Sequence, residues 1–372
     1  MRNVARSVVL DAEAELLLAC ARVRMEPVAG ARVREMAGAV SDWSAVLDLA
    51  RRHRLVPLLY THLKAVAEDL VPASARAALR EEFTANAARN LALATELLAV
   101  TELLASHGVR ALPYKGPALA QCVYGSLASR QMKDVDVLIA PEDVERALSL
   151  LATRGYAPVT RLLPGARRLG LEYQCVLTRP SDDTVIELHW SVVPRAMAPP
   201  VTLDQLWPSR LHTAMLGRTL PGPSHEDTLV ILGIHGSKHQ WARLEWICGV
   251  AELVRTKPID WVKVHGRAEQ WRATRMLDTG LLLATDLLDA PVPDAMLDSA
   301  RRDARVVSLA ASVIERLFID EDGSGDRVLR AFQLGTQQSA RDRARYIWFR
   351  PLIDGARKGA RVAHWLQDLS AR

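Results

Sequence analysis

Two short segments, Asp134-Val135-Asp136-Val137-Leu138-Ile139-Ala140 and Thr184-Val185-Ile186-Glu187-Leu188-His189-Trp190, decide how this chain is read. In a strand, side chains alternate with period two. Val135, Val137 and Ile139 therefore share one face, and Asp134 and Asp136 the other. In the second segment Ile186, Leu188 and Trp190 oppose Glu187 and His189. Two half-buried strands that each carry carboxylates on the non-core face predict a small sheet. Three carboxylates converging from neighbouring strands, Asp134, Asp136 and Glu187, make a site for a hard cation such as Mg²⁺.

The surrounding sequence extends the sheet. Val109 to Tyr114 reads as a short strand that Pro113 confines to an edge or a strand end. Lys115-Gly116-Pro117 follows, with Pro117 suited to the first turn of a helix that Gly125 closes. Gly116 lies where helix N-terminal amides meet an anion. Lys115 and Arg130 are candidate phosphate ligands, and pairing with a nearby carboxylate is the competing reading. After the Asp134–Ala140 strand, Pro141 and Glu142 open a helix with Val144, Ala147, Leu148 and Leu151 as its stripe, ended by Gly155. Arg161, Arg167 and Arg168 mark a basic loop, and Glu172–Thr178 pairs as a strand with Thr184–Trp190 through the turn Pro180-Ser181-Asp182-Asp183.

Helical periodicity dominates on both sides. Upstream, helices are expected over about 12–24, from Ser41 or Asp42 until Pro57 limits it, and from Pro72 to His107. The last has Leu79, Phe83, Leu91, Leu97, Leu98, Leu103 and Leu104 as core candidates. The run Arg51-Arg52-His53-Arg54 reads as a solvated helix end complementing the macrodipole. Downstream, the proline-rich stretch 193–223 reads as a connector. Helices are then expected over Thr228–Trp241, Leu244–Thr256, Trp261–Gln270, Arg272–Leu288 and Pro293–Phe318. An acidic link from Asp320 to Asp326 leads to a basic segment broken by Pro351 and Gly355. The fold class is α+β: a small mixed β-sheet with flanking helices, preceded and followed by mainly helical regions. The expected divisions are a helical region at 1–107, the core at 108–192, a connector at 193–225, a helical domain at 226–319 and the final segment at 320–372.

Composition excludes several classes. The 372 residues carry a net charge of +5, with 24% charged and 49% hydrophobic residues, so the chain is neither disordered nor collagen-like. The modest charge suits anionic ligands such as nucleotides and does not mark a strong nucleic-acid surface. Four scattered cysteines show no Cys-x-x-Cys spacing, which predicts a reduced, cytoplasmic protein without a disulfide framework or zinc ribbon. The apolar start at Val8-Val9-Leu10 is interrupted by Asp11, Glu13 and Glu15, and no long uncharged apolar window exists, so neither a signal peptide nor a membrane span is expected. His235 and His239 are spaced for metal ligation, but no glutamate follows His235 and no third ligand is evident. They are expected to face a cleft or pack with Trp241 and Trp246, and the nine tryptophans to serve mainly as core.

Taken together, Lys115-Gly116-x-x-Leu119, Arg130-x-Met132-x-Asp134-x-Asp136, Pro141-Glu142-Asp143, Gly155-Tyr156 and Ile186-Glu187-Leu188-His189-Trp190 resemble the uncharacterised nucleotidyltransferase family of the DNA polymerase beta-like superfamily. The resemblance extends to Asp42-Trp43, Ala50-Arg51-Arg52-His53, Ala88-Arg89-Asn90-Leu91, His235-x-x-x-His239 and Leu244-x-Trp246, about 40–290. It implies an enzyme that moves an NMP group from an NTP, ATP being the first expectation, to an acceptor hydroxyl or phosphate. Two Mg²⁺ ions would take part, and pyrophosphate would leave. By the same resemblance Asp134, Asp136 and Glu187 are the catalytic and metal-binding carboxylates, and Lys115 and Gly116 stand where the phosphates are held. From the residues themselves Arg130 is a nucleotide-binding candidate, and His189, His235 and His239 either line the cleft or serve to orient and pack. Lys115-Gly116 replaces the superfamily's usual Gly-Gly or Gly-Ser, and Gly249 stands where similar sequences carry an aspartate. The acceptor, whether small molecule, peptide or RNA, is left open. A non-catalytic nucleotide- or peptide-binding module and a toxin-like tRNA-modifying enzyme are the alternatives.

Overall fold

A computed structural model describes residues 10–160, 170–319 and 326–370. The basic loop at Arg161, Arg167 and Arg168 and the acidic link at 320–325 lie outside the described residues.

Four helices lead into a long fifth: α1 (Ala12–Cys20), α2 (Pro27–Ala39), α3 (Trp43–His53), α4 (Val56–Val66) and α5 (Ala73–Ser106). Local chemistry sets their ends. Asp11 caps α1 by accepting from the Ala14 amide, and Asp42 caps α3 by accepting from the Ser44 and Ala45 amides. Arg54 ends α3 in the left-handed conformation, and Pro57 does not merely limit α3, because its fixed φ suits the first turn of α4. The first helix ends at Cys20, short of the expected Arg24, and α2 was not anticipated. Of the apolar residues expected in the α5 core, Leu79, Leu97, Leu98 and Leu104 are buried, whereas Leu91 is 51% exposed.

The central sheet follows. It comprises β1 (Ala111–Pro113), β2 (Asp134–Ile139), β3 (Ala157–Pro158), β4 (Gln174–Arg179) and β5 (Thr184–His189), with helix α6 (Gly116–Leu119) and its π-turn to Tyr124 after β1, and α7 (Val144–Ala152) after β2. The strand order is β1-β2-β5-β4-β3. Only β2 and β5 run parallel, and β1 takes the edge that Pro113 requires. On one face Val135, Val137, Ile139, Ile186 and Leu188 pack with Leu97 and Leu104 of α5 and with Val144, Ala147 and Leu151 of α7. Leu112, Tyr114 and Leu138, on the other face, join a second core shared by the N-terminal and later helices.

The stretch expected to be a plain connector contains α8 (Leu203–Leu206) and a hairpin of β6 (Leu211–Met215) and β7 (Arg218–Gly222). Its turn places both Leu216 (φ 50°) and Gly217 (φ 77°) in the left-handed region, the geometry of a type I′ turn. Leucine there is a poor turn signal, which hid the hairpin. Next come α9 (His225–Lys238), α10 (Leu244–Thr256), α11 (Trp261–Gln270), α12 (Thr274–Leu288), α13 (Asp294–Arg302), α14 (Ala304–Leu317), α15 (Asp326–Gly335) and α16 (Ala340–Ser370). The single helix expected over Pro293–Phe318 is two, because Asp303 adopts extended backbone and caps α14 through the Arg305 amide. Conversely, α16 runs through Pro351 and Gly355, since one missing amide bends a helix without having to end it.

Close packing fixes α9 against α12. A Cβ at Gly233 would lie 2.8 Å from the Leu277 Cα, and Cβ atoms at Gly236 and Gly280 would lie 2.4 and 2.7 Å from the Trp241 ring. Trp241, fully buried, thus fills a slot that two glycines leave open. Among the described residues no helix is long and apolar enough to cross a membrane.

Candidate active site

Register determines what the two acidic strands bring together. The parallel pairing sets Asp136 opposite Glu187 and Leu138 opposite His189. A slip of one residue would turn these groups into the apolar core. His189 Nε2 lies 3.1 Å from Asp136 Oδ1 and 3.2 Å from Glu187 Oε2. Asp136 and His189 are buried, whereas the Glu187 side chain is 23% exposed. An Nε2–H tautomer donates to these carboxylates and leaves Nδ1 buried without a partner. Tyr114 presents its ring edge-on to His189 at 5.2 Å between centroids.

Lys115 completes the cluster. Its ammonium is ion-paired with Asp136, lies 3.9 Å from Glu187 Oε2, and stands 5.1 Å from the Tyr114 ring centre. Burial alone would raise the Asp136 carboxyl, but Lys115 and the His189 hydrogen bond outweigh it and hold Asp136 well below the usual carboxylate range. Glu187 is also lowered, with burial opposed chiefly by the His189 hydrogen bond. Asp134 moves the other way, pushed up to about 6 by burial and by the like charges of Asp136 and Glu187, with Lys115 and Arg130 only partly offsetting them. The site therefore holds carboxylates of opposite acid–base character on one strand.

The groups spaced to hold a cation are not quite those read from the sequence. Oxygens of Asp136 and Glu187 and a ring nitrogen of His189 all lie within 4.8 Å of one another. Asp134 shares their sheet face but is not one of this group. Two carboxylates and an imidazole match the donor set of a divalent-cation site.

Gly116 has a definite steric reason. Its φ is +52°, and a Cβ would sit 2.8 Å from the Asp134 carbonyl oxygen. Glycine here lets the start of α6 lie directly against β2.

Arg130 is aimed by polar clamps that the sequence alone did not reveal. Asn86 and Asn90 donate to the Arg130 carbonyl at 3.2 and 2.6 Å, and to the carbonyls of Ala128 and Leu127. The Arg130 guanidinium pairs with Glu245 at 2.6 Å, and Arg54 lies 3.9 Å from the same carboxylate. Arg54 thus departs from the solvated-face reading of its basic run. Glu245 is buried in the first turn of α10, and its only sequence signal is an acid among Leu244, Trp246 and Ile247. Gly249 lies one turn further along α10, where a Cβ would make ordinary contacts of 3.8 Å with the Tyr124 hydroxyl and 3.9 Å with Leu232.

His235 and His239 form an aromatic wall with Trp246: the ring centroids are 4.9 Å apart for the two histidines, and 5.6 and 5.1 Å from each to the indole. Trp241, the other expected partner, is in its glycine slot instead. Burial, then Lys115, His239, Lys238 and Arg130, push the His235 imidazole well below its ordinary pKa, so it is neutral at pH 7. Tyr173 links the wall to the cluster, with its ring 6.2 Å from His189 and 5.3 Å from the Lys238 ammonium.

A small sheet flanked by helices, with carboxylates on adjacent parallel strands and a glycine-led helix packed against them, is the architecture expected of a nucleotidyltransferase. The model of the uncharacterised nucleotidyltransferase family matches residues 39–289, and the chain belongs to that family. No curated protein and no solved structure matches the chain.

Proposed function

We propose that the protein transfers a nucleotidyl group from an NTP to an acceptor hydroxyl or phosphate, using Asp134, Asp136 and Glu187 as a divalent-cation platform. The observation that carries this is the parallel register that sets Asp136 beside Glu187, with His189 in reach of both. Mg²⁺ bound there supplies charge neutralisation for the phosphates. Asp136, kept ionised by Lys115 and His189, anchors the platform. His189 fixes the orientation of both carboxylates through Nε2. Glu187, the more open of the two, faces the acceptor and takes its proton as the acceptor oxygen bonds to the α-phosphorus and the bond to the pyrophosphate oxygen breaks. Arg130 steadies the platform through Glu245 and the asparagine clamps.

The test is incubation with each of the four labelled NTPs, of which ATP is tried first, with Mg²⁺ present and pyrophosphate release followed. Asp136→Ala is expected to abolish release; undiminished release in that variant would sink the reading. One observation favours a second reading, nucleotide binding without turnover: the Lys115 ammonium occupies the Asp136 carboxylate as a built-in counter-ion. Calorimetry separates the two, because tight NTP binding that is indifferent to Mg²⁺ and gives no pyrophosphate supports the second.

A further inference from the structure

The cations around the cleft fall into two groups. Lys115 is held by Asp136, and Arg130 and Arg54 face the buried Glu245. Lys238 and Arg243 have no carboxylate partner among the described residues. Instead each lies against an aromatic ring, Lys238 at 5.3 Å from the Tyr173 centroid and Arg243 at 5.4 Å from that of Trp246. They stand at the two ends of the 239–243 loop, which joins the helices that carry His235 and Trp246. The neutral His235 adds no charge of its own to the positive field that Lys238 and Lys115 both exert on this wall. Burial and the neighbouring Arg54 lower Arg243 from its ordinary value, with Glu245 only partly offsetting them.

Resting on the nucleotidyltransferase reading, we propose that Lys238 and Arg243, and not Lys115 and Arg130, bind the polyphosphate tail of the nucleotide. Lys238 reaches the carboxylate cluster through Tyr173, whose ring lies 6.2 Å from that of His189, and Arg243 lies against Trp246 of the adjoining wall. Two separated cations fit an extended anion with several charged oxygens, whereas a single carboxylate would engage only one of them. Lys115 and Arg130 would have to abandon buried carboxylates to do the same work, leaving charges unpaired in the interior. The Tyr173 and Trp246 rings hold the two side chains in position through cation–π contact.

Binding of inorganic tripolyphosphate, ATP and adenosine, each with Mg²⁺, is measured by titration calorimetry on the full chain and on Lys238→Ala and Arg243→Ala. Tripolyphosphate and ATP are expected to bind each variant roughly ten- to a hundredfold more weakly, the loss of one charge-assisted contact. Adenosine affinity is expected to be unchanged, and Lys238→Arg to restore tripolyphosphate binding. Both side chains reach solvent, and circular dichroism checks that the variants remain folded. Tripolyphosphate affinity equal in wild type and both variants overturns the proposal, as does a wild type that does not bind tripolyphosphate. The two readings fail separately. NTP turnover with unaltered tripolyphosphate affinity in the variants removes only this assignment, whereas variant-sensitive tripolyphosphate binding without pyrophosphate release upholds it and removes nucleotidyl transfer.

Discussion

Replacing Lys115 by methionine tests the charge balance of the site most directly. The Lys115 and Asp136 side chains are 14% and 3% exposed, so their ion pair is interior and poorly screened. Lys115→Met keeps most of the apolar stem but leaves Asp136 and Glu187 facing each other without their cation. Removing one partner of a buried pair typically costs about 3–5 kcal/mol. Unfolding entropy of about 2.1 cal/mol/K per residue gives roughly 0.8 kcal/mol/K for a chain of this length, so the melting temperature should fall by about 4–6 °C. Differential scanning calorimetry in EDTA measures that fall. Repeating the scan in Mg²⁺ then asks whether the freed carboxylates take the ion. At a concentration about a hundredfold above its Kd, Mg²⁺ restores roughly 2.7 kcal/mol, or about 3 °C. Wild type, whose Asp136 is already satisfied by the ammonium, should respond less. A melting temperature lowered by less than about 1 °C, or equal Mg²⁺ responses in the two proteins, would refute the reasoning, because 1 °C is worth only about 0.8 kcal/mol here.

Other perturbations probe the supports of the site. Gly116→Ala should destabilise by about 1–3 kcal/mol in chemical denaturation, since the new Cβ meets the Asp134 carbonyl at 2.8 Å and φ is +52°. Asn90→Ala removes the side-chain donor to the Leu127 carbonyl and leaves the Arg130 carbonyl to Asn86 alone, and should cost about 1–3 kcal/mol, with the Asn86→Ala, Asn90→Ala pair coupled rather than additive. Asp278 is pushed up to about 7 by burial and by Asp303. Because its folded pKa exceeds the unfolded value, it imposes no penalty below about pH 4, and stability is lost as pH rises from there to about 7. Asp278→Asn should therefore stabilise the protein at pH 8, by up to about 4 kcal/mol, and leave it unchanged at pH 4. A constant difference across that range in urea denaturation would contradict this.

What the sequence made legible follows from the range of the forces involved. Alternation of Val135 and Val137 with Asp134 and Asp136 is a local pattern, and it correctly gave the strand, its buried face and its acidic face. Residues that terminate elements by their own chemistry were equally readable, as Asp42 capping α3 and Pro113 at the sheet edge show. That β2 and β5 are neighbours followed from reading Asp134, Asp136 and Glu187 as convergent; their parallel sense and register were not readable, being decided by packing between residues about fifty positions apart. His189 was placed on the correct face, but its equal distance from two carboxylates depends on that pairing. Glu245 escaped notice because a lone acid in an apolar helix looks solvated until Arg130 is brought to it. The break at Asp303 was concealed by an apolar period that continues unbroken on both sides of the cap.

The tryptophan slot has a consequence for how the cleft meets a ligand. Trp241 is wedged between Gly236 of α9 and Gly280 of α12, and it belongs to the same short loop that carries His239 and ends at Arg243. That loop surrendered its conformational freedom when the two helices docked, before any ligand arrived. An anion that lands on it meets donors already arrayed, so association is spared the ordering entropy that a mobile loop would impose. If Lys238 and Arg243 bind the polyphosphate as proposed, the indole contributes to affinity through the rigidity of its neighbours.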